Sequence, residues 1–159
     1  MPVSVRTATP ADAALIHQFI LDLADYEKLL DTVTATQGDT AAALFGENPR
    51  AFADIAELDG QPVGFSLWFY NYSTFVGRHG IWLEDLFVRP SARGSGAGKA
   101  LLVNLAKRCV EEGLGRFEWS VLDWNAPSIA FYDSLGAATM DEWLIRRLTG
   151  EGIRKLAGV

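Results

Sequence analysis

The chain has 159 residues, 14 of them basic and 20 acidic, for a net charge of -6. An apolar share of 49% is enough to fill one core of ordinary domain size, and 15 Gly and 6 Pro without a period exclude a collagen-like or low-complexity chain. The acidic balance argues against nucleic-acid binding, the lone Cys109 excludes an internal disulfide, and no stretch is apolar enough to span a bilayer.

In chain order, residues 3–8 alternate as a short strand, and Thr9-Pro10-Ala11-Asp12 opens a helix with Thr9 as its N-cap. Leu15, Ile16, Phe19, Ile20 and Leu23 follow at helical spacing, and Tyr26-Glu27-Lys28 closes the helix. A shorter helix is predicted over 37–45. Strands over 51–58 and 63–72 are joined at Asp59-Gly60, and a fourth strand runs over 80–88. A strong amphipathic helix follows over 98–112, with Gly113 as its cap. A strand over 116–122, a helix over 125–135, a last strand over 139–148 and a tail complete the chain. Three hairpin-joined strands followed by βα units predict an α/β (α+β) single domain over 1–159, a mixed central sheet with helices on both faces.

Charge is unevenly distributed. Residues 1–60 hold ten acids and three bases, whereas residues 78–108 hold six bases and two acids. One molecule can therefore hold a cation at one place and an anion at another, although solvated surface charge explains such asymmetry equally well.

The anion side has a clear candidate. Arg93-Gly94-Ser95-Gly96-Ala97-Gly98-Lys99 lies between a predicted strand and a predicted helix. Its glycines leave backbone N–H groups bare at a helix N-terminus, which makes a phosphate cradle. The nucleotide P-loop pattern fails here, because only three residues separate Gly94 from Gly98 and Ala100 stands where Ser or Thr is needed. The pattern Arg-x-x-Gly-x-Gly fits, following a strand that ends in Leu86-Phe87-Val88-Arg89-Pro90. This loop, in this position, resembles the pyrophosphate loop of the GNAT superfamily of acetyl-CoA-dependent N-acetyltransferases, and the predicted element order matches that fold.

The resemblance narrows to the diamine acetyltransferase family, with its polyamine and thialysine branches. Asp25-Tyr26-Glu27-Lys28 is similar to one of its motifs and Ile81-Trp82-Leu83-Glu84-Asp85-Leu86-Phe87-Val88 to a second. Val121-Leu122-Asp123-Trp124-Asn125, with Phe131-Tyr132 beyond it, is similar to a third. The resemblance implies acetyl-CoA as co-substrate, held by Leu86, Phe87, Val88, the residues from Arg93 to Lys99 (Gly94, Ser95, Gly96, Ala97 and Gly98 between them), and Asn125, Ala126, Pro127 and Ser128. It implies that the amine is bound by Tyr26, Glu27, Glu84, Glu118, Trp119 and Ser120. Glu84 is expected to help remove the amine's proton, and Tyr132 to protonate the departing thiolate. It also implies a small-molecule amine substrate and a homodimer.

Read for themselves, Glu84 and Asp85 are adjacent on a strand and point to opposite faces unless a bulge intervenes. Asn125, Ser128 and Tyr132 share a helix face, although an aromatic pair such as Phe131-Tyr132 also suits a core. His17 and His79 match no metal-site spacing, so no metal is expected. Cys109 falls on an apolar helix face and reads as a core residue. The N-terminal residues lack the apolar run of a signal peptide, and a cytoplasmic protein without membrane or nucleic-acid partners is expected. A protein N-terminal or lysine acetyltransferase, and a non-catalytic CoA-binding module, remain as rival readings.

Overall fold

A computed structural model describes residues 2–159. The chain divides into two compact units, one ending at Leu122 and the other running from Asp123 to Val159.

The first unit contains β1 (Val3–Thr7), α1 (Ala13–Tyr26), α2 (Gln37–Phe45), β2 (Phe52–Leu58), β3 (Gln61–Ser73), β4 (Arg78–Val88), α3 (Ala97–Glu112) and β5 (Phe117–Trp119). The strands form one sheet in the order β1-β2-β3-β4-β5. The first four are antiparallel neighbours, and β5 runs parallel to β4. Asp59 and Gly60, with φ of 52° and 77°, make the two-residue turn that joins β2 to β3.

Side chains alternate across the sheet, and each face receives its own helices. On one face Ile16 and Phe19 of α1 and Leu44 of α2 pack with Ala53, Ile55, Phe65 and Phe87. Phe19 stacks on Phe65 with ring centroids 5.5 Å apart. On the other face Ala97 and Leu101 of α3 pack on Ala56, with Val5, Leu86 and Val88 around them. Helices therefore cover both faces, as the element order predicts.

One departure from the sequence reading has a local cause. Thr9-Pro10 opens not the α-helix itself but one 3-10 turn, Pro10–Asp12, and α1 starts at Ala13. Asp12 is drawn into that turn because its carboxylate accepts the Thr9 N–H at 2.7 Å and both terminal nitrogens of Arg6 at 2.8 and 2.9 Å.

The second unit holds α4 (Ala126–Ser134) and α5 (Gly150–Ala157). The strand expected over 139–148 does not form, and this segment is irregular. A strand needs a neighbour for its N–H and C=O groups, and among the described residues none pairs with this segment. Its side chains are left bare, Trp143, Leu144 and Ile145 being 69%, 81% and 74% exposed. The expected tail is partly helical, with Glu151 in the first turn of α5, Arg154 and Lys155 in the last, and Gly158 in the left-handed cap.

Arg6 ties β1 to the start of α1 through Asp12 and to β2 through Glu57 at 3.2 Å. The Arg6 guanidinium holds the Asp12 carboxyl at about 2, against the opposing effect of burial. A depressed pKa stabilises the fold above the ordinary value, and that stability is lost as pH falls through the folded one. Asp12→Asn should therefore cost about 1–3 kcal/mol at pH 7. Its difference from the parent protein, read by denaturant unfolding, should shrink as pH falls from 4 toward 2.

Candidate active site

β4 carries the site's main irregularity. Leu67 of β3 pairs with Asp85 and Trp68 with Leu83, which leaves Glu84 as an extra residue in a bulge. The consequence follows from alternation. Asp85 lies opposite Leu67, which packs against the α1 cluster, so Asp85 is on the α1 face. Trp82 lies opposite Phe69, two residues along β3 from Leu67, and is on that same face. Trp82 Nε1 donates to Glu84 Oε2 at 3.1 Å, so Glu84 is there too. The bulge thus brings both acids to one side, where regular pleating would have separated them.

Glu27 joins them from the C-terminal end of α1. Burial raises the Glu27 carboxyl above its ordinary value, and the charge of Glu84 adds to this. Burial pushes Asp85 up to about 7, with Glu84 and then Glu27 contributing. Like charges in a half-buried place disfavour ionisation, and a cation placed among them would favour it. The exposed Glu84 is the member most open to a ligand. Among the described residues no group of three His, Cys, Asp or Glu side chains is arranged to hold a metal ion.

Glu118 extends the acidic face onto β5. It pairs with Trp82 in the parallel ladder, so the two share a face, and Asn71 Nδ2 donates to its carboxylate at 3.4 Å. Trp119, its neighbour, points to the opposite face beside Phe117, with ring centroids 5.0 Å apart. Ser120 lies just past the end of β5 and is exposed.

β5 pairs with β4 only from Ile81 to Leu83. From Glu84 to Val88 the outer edge of β4 has no strand beside it among the described residues, so a row of backbone donors and acceptors is left unpaired by the sheet. Along this edge Phe87 is buried toward α1, whereas Leu86 and Val88 pack toward α3. Their backbone, rather than their side chains, is what a ligand at this edge would meet.

The edge leads directly into the glycine loop. Gly94 and Gly96 have φ of 81° and 89°, in the left-handed region, and a Cβ added at either would meet nothing within 4 Å. Gly96 is also the residue before the first turn of α3. Ser95 Oγ accepts the Ala97 N–H at 3.3 Å. The next N–H groups of the helix have no intrahelical acceptor and point outward with the positive end of the dipole. Open space over bare N–H groups, flanked by exposed Arg93 and Lys99, fits a pyrophosphate. Arg93 also stacks on the ring of Tyr26, its guanidinium carbon 4.7 Å from the centroid.

In the second unit Asn125 caps α4, its side-chain oxygen accepting the Ser128 N–H at 3.4 Å. Pro127 stands in the first turn, where its missing N–H costs nothing. Tyr132 lies further along α4, its ring 5.6 Å from that of Phe131. Cys109 is half-buried on α3, and burial pushes its thiol up, as suits an unreactive residue.

The residue that sequence reasoning missed is Asp85. The signal was there, two adjacent acids in an apolar strand, but the pairing register that turns both to one side cannot be counted along a single strand. The supporting donors Trp82 and Asn71 were missed for the same reason.

Comparison with known proteins gives the family of the chain. The sequence profile described as the acetyltransferase (GNAT) family matches residues 18–137. The chain is 38% identical to a thialysine N-epsilon-acetyltransferase of Sus scrofa, covering 98% of each chain. It is 30% identical to an L-ornithine N5-acetyltransferase of Arabidopsis thaliana, covering 96% of this chain and 86% of the relative. Among solved structures, an integron cassette protein from the mobile metagenome of V. cholerae superposes with a TM-score of 0.81 at 26% identity, over 100% of this chain and 99% of that one.

The raised Asp85 carboxyl has a consequence for stability. The neutral form suits the fold, so its contribution is fully present below the ordinary value of 3.8 and is lost as pH rises through about 7. Asp85→Asn keeps the shape and cannot ionise. It should raise the melting temperature more at pH 8 than at pH 5, and equal shifts at both would place the proton elsewhere.

Proposed function

The chain belongs to the acetyltransferase (GNAT) family and is an acetyltransferase that uses acetyl-CoA, and from that premise we propose that it acetylates the terminal primary amine of a small lysine-like or polycationic substrate, such as thialysine, a diamine or a polyamine. The observation that carries the reading is the set of carboxylates Glu27, Glu84 and Asp85 turned to one face of the sheet. The names of the two relatives point the same way, since each acts on the side-chain amine of a diamino acid.

A lysine-like amine has a pKa of about 10.4 and is almost wholly cationic at pH 7. Glu84, exposed and backed by Glu27 and Asp85, recruits that cation and then accepts its proton. Thialysine suits this step because its sulfur lowers the pKa of the reacting amine. Acetyl-CoA, when bound, supplies the acetyl thioester. Arg93, Gly94, Ser95, Gly96, Ala97, Gly98 and Lys99 would hold its pyrophosphate, and Leu86, Phe87 and Val88 would offer backbone along the open edge of β4. An N–H on that edge would stabilise charge on the thioester oxygen. Asn125, Ala126, Pro127 and Ser128 complete the proposed cofactor set, and the Tyr132 hydroxyl is the proposed proton donor to the departing sulfur. No activated Cys or Ser is needed, so transfer is by direct attack in a ternary complex. On the amine side, Tyr26, Glu118, Trp119 and Ser120 belong to the same reading.

The reading includes a homodimer and a cytoplasmic location. Support for the dimer comes from apolar surface that the chain leaves bare. Phe75 beyond β3 is 87% exposed and Tyr72 is 56% exposed, and the 139–148 segment adds Leu144 and Ile145. No helix of the described residues is long and apolar enough to cross a membrane.

The amine assignment predicts a rank order. At fixed acetyl-CoA, kcat/KM should be higher for thialysine, spermidine and putrescine than for a butyl monoamine, and substrate affinity should weaken as salt rises. Equal values for monoamine and polycations, without salt dependence, would remove the acidic-face argument. The rival protein acetyltransferase reading predicts instead faster acetylation of a basic peptide. For the donor, Tyr132→Phe should lower turnover by about 10²–10⁴-fold with little change in acetyl-CoA affinity. Turnover within about twofold of the parent would assign the proton to another group.

A further inference from the structure

Tyr26 and Arg93 come from opposite sides of the proposed reaction. Tyr26 ends α1, next to Glu27 and the carboxylates. Arg93 opens the glycine loop ahead of α3, just after a 3-10 turn from Pro90 to Ala92. The two meet as a stacked pair, with the Arg93 guanidinium carbon 4.7 Å from the Tyr26 ring centroid. We infer that Tyr26 is a positioning residue for acetyl-CoA, holding the Arg93 side chain in place at the pyrophosphate loop, rather than a contact for the amine alone.

The physical argument lies in the shape of a guanidinium. Its faces stack on aromatic rings, while its five N–H donors lie in the plane and point outward. A guanidinium held by its face on Tyr26 therefore keeps its edge free for anionic oxygens. Arg93 is exposed, and an unsupported exposed arginine loses rotamer entropy when it binds a ligand. The half-buried ring of Tyr26 removes part of that cost beforehand. The Arg93 backbone is also pinned, its N–H donating to the Pro90 carbonyl at 3.3 Å, so the side chain leaves from a defined place. One ring then separates a group that binds the anionic co-substrate from Glu27, which belongs to the cation side.

This inference rests on the acetyl-CoA site proposed above, and the experiment separates the two. Acetyl-CoA affinity would be measured by calorimetry, and KM and kcat for thialysine by thiol release, in Tyr26→Leu, Tyr26→Phe, Arg93→Ala, the Tyr26→Leu/Arg93→Ala pair and Gly96→Asp. Tyr26→Leu should weaken acetyl-CoA binding about 3- to 30-fold, the range for a lost cation over a ring, whatever it does to the KM for thialysine. Tyr26→Phe keeps the ring and should restore the parent affinity. The pair should be no weaker than Arg93→Ala alone, because the ring acts only through that side chain. If Tyr26→Leu does not fold, Tyr26→Met, which keeps the bulk, takes its place. A raised KM for thialysine with unchanged acetyl-CoA affinity would overturn the inference, as would effects that multiply in the pair. Unchanged affinity in Gly96→Asp would instead remove the loop reading on which it stands.

Discussion

Glu84 is one residue more than β3 can pair with, and the sheet accommodates it by turning two neighbouring carboxylates to the same side. Counted on from Leu83, regular pleating would have put Asp85 on the α3 face, where Ala97 and Leu101 pack on Ala56. There a charge would be costly and useless. The bulge instead places it on the α1 face, beside Glu27, and frees Glu84 to accept from Trp82. It also marks where β4 parts from β5, since their pairing ends at Leu83. The open edge and the acidic face thus begin at the same residue.

Two opposite electrostatic demands are met within one unit of the fold. The acidic side works by crowding. Burial and mutual repulsion raise the Glu27 and Asp85 carboxyls, so ionising the whole set is disfavoured unless a cation lies among them. The basic side works by leaving groups bare. Gly94 and Gly96 adopt backbone conformations that expose N–H groups where no side chain intrudes, at the start of the 16-residue helix α3. The stacking of Arg93 on Tyr26 stands between these two sides. The same frame is held at its far end by Arg6, which joins β1, β2 and the start of α1 through two carboxylates.

Much of this could be read along the chain. Apolar spacing located α2, α3 and the first four strands to within about two residues and α1 to within about three, because helix and strand periods are written locally. The glycine loop was legible for the same reason, since Arg93 to Gly98 is a contiguous pattern with a local backbone consequence. The C-terminal region was not. Residues 139–148 have strand-like composition, but a strand is a property of two segments, and among the described residues no neighbour pairs with this one. The helix α5 went unread because it spans only eight residues and two of them are glycines, which local propensity counts against a helix.

By itself the sequence determined most of the elements up to α4, the faces of them that are apolar, and the glycine loop that leaves N–H groups bare ahead of α3, since each depends on residues within a few positions of one another. Tertiary structure alone decided that Glu84 and Asp85 share a face, that Glu118 lies on that face and Trp119 does not, and that Tyr26 lies under Arg93. These outcomes depend on strand register and on the meeting of segments tens of residues apart. Register is set by what each strand pairs with, and one unpaired residue is enough to change which face a side chain occupies.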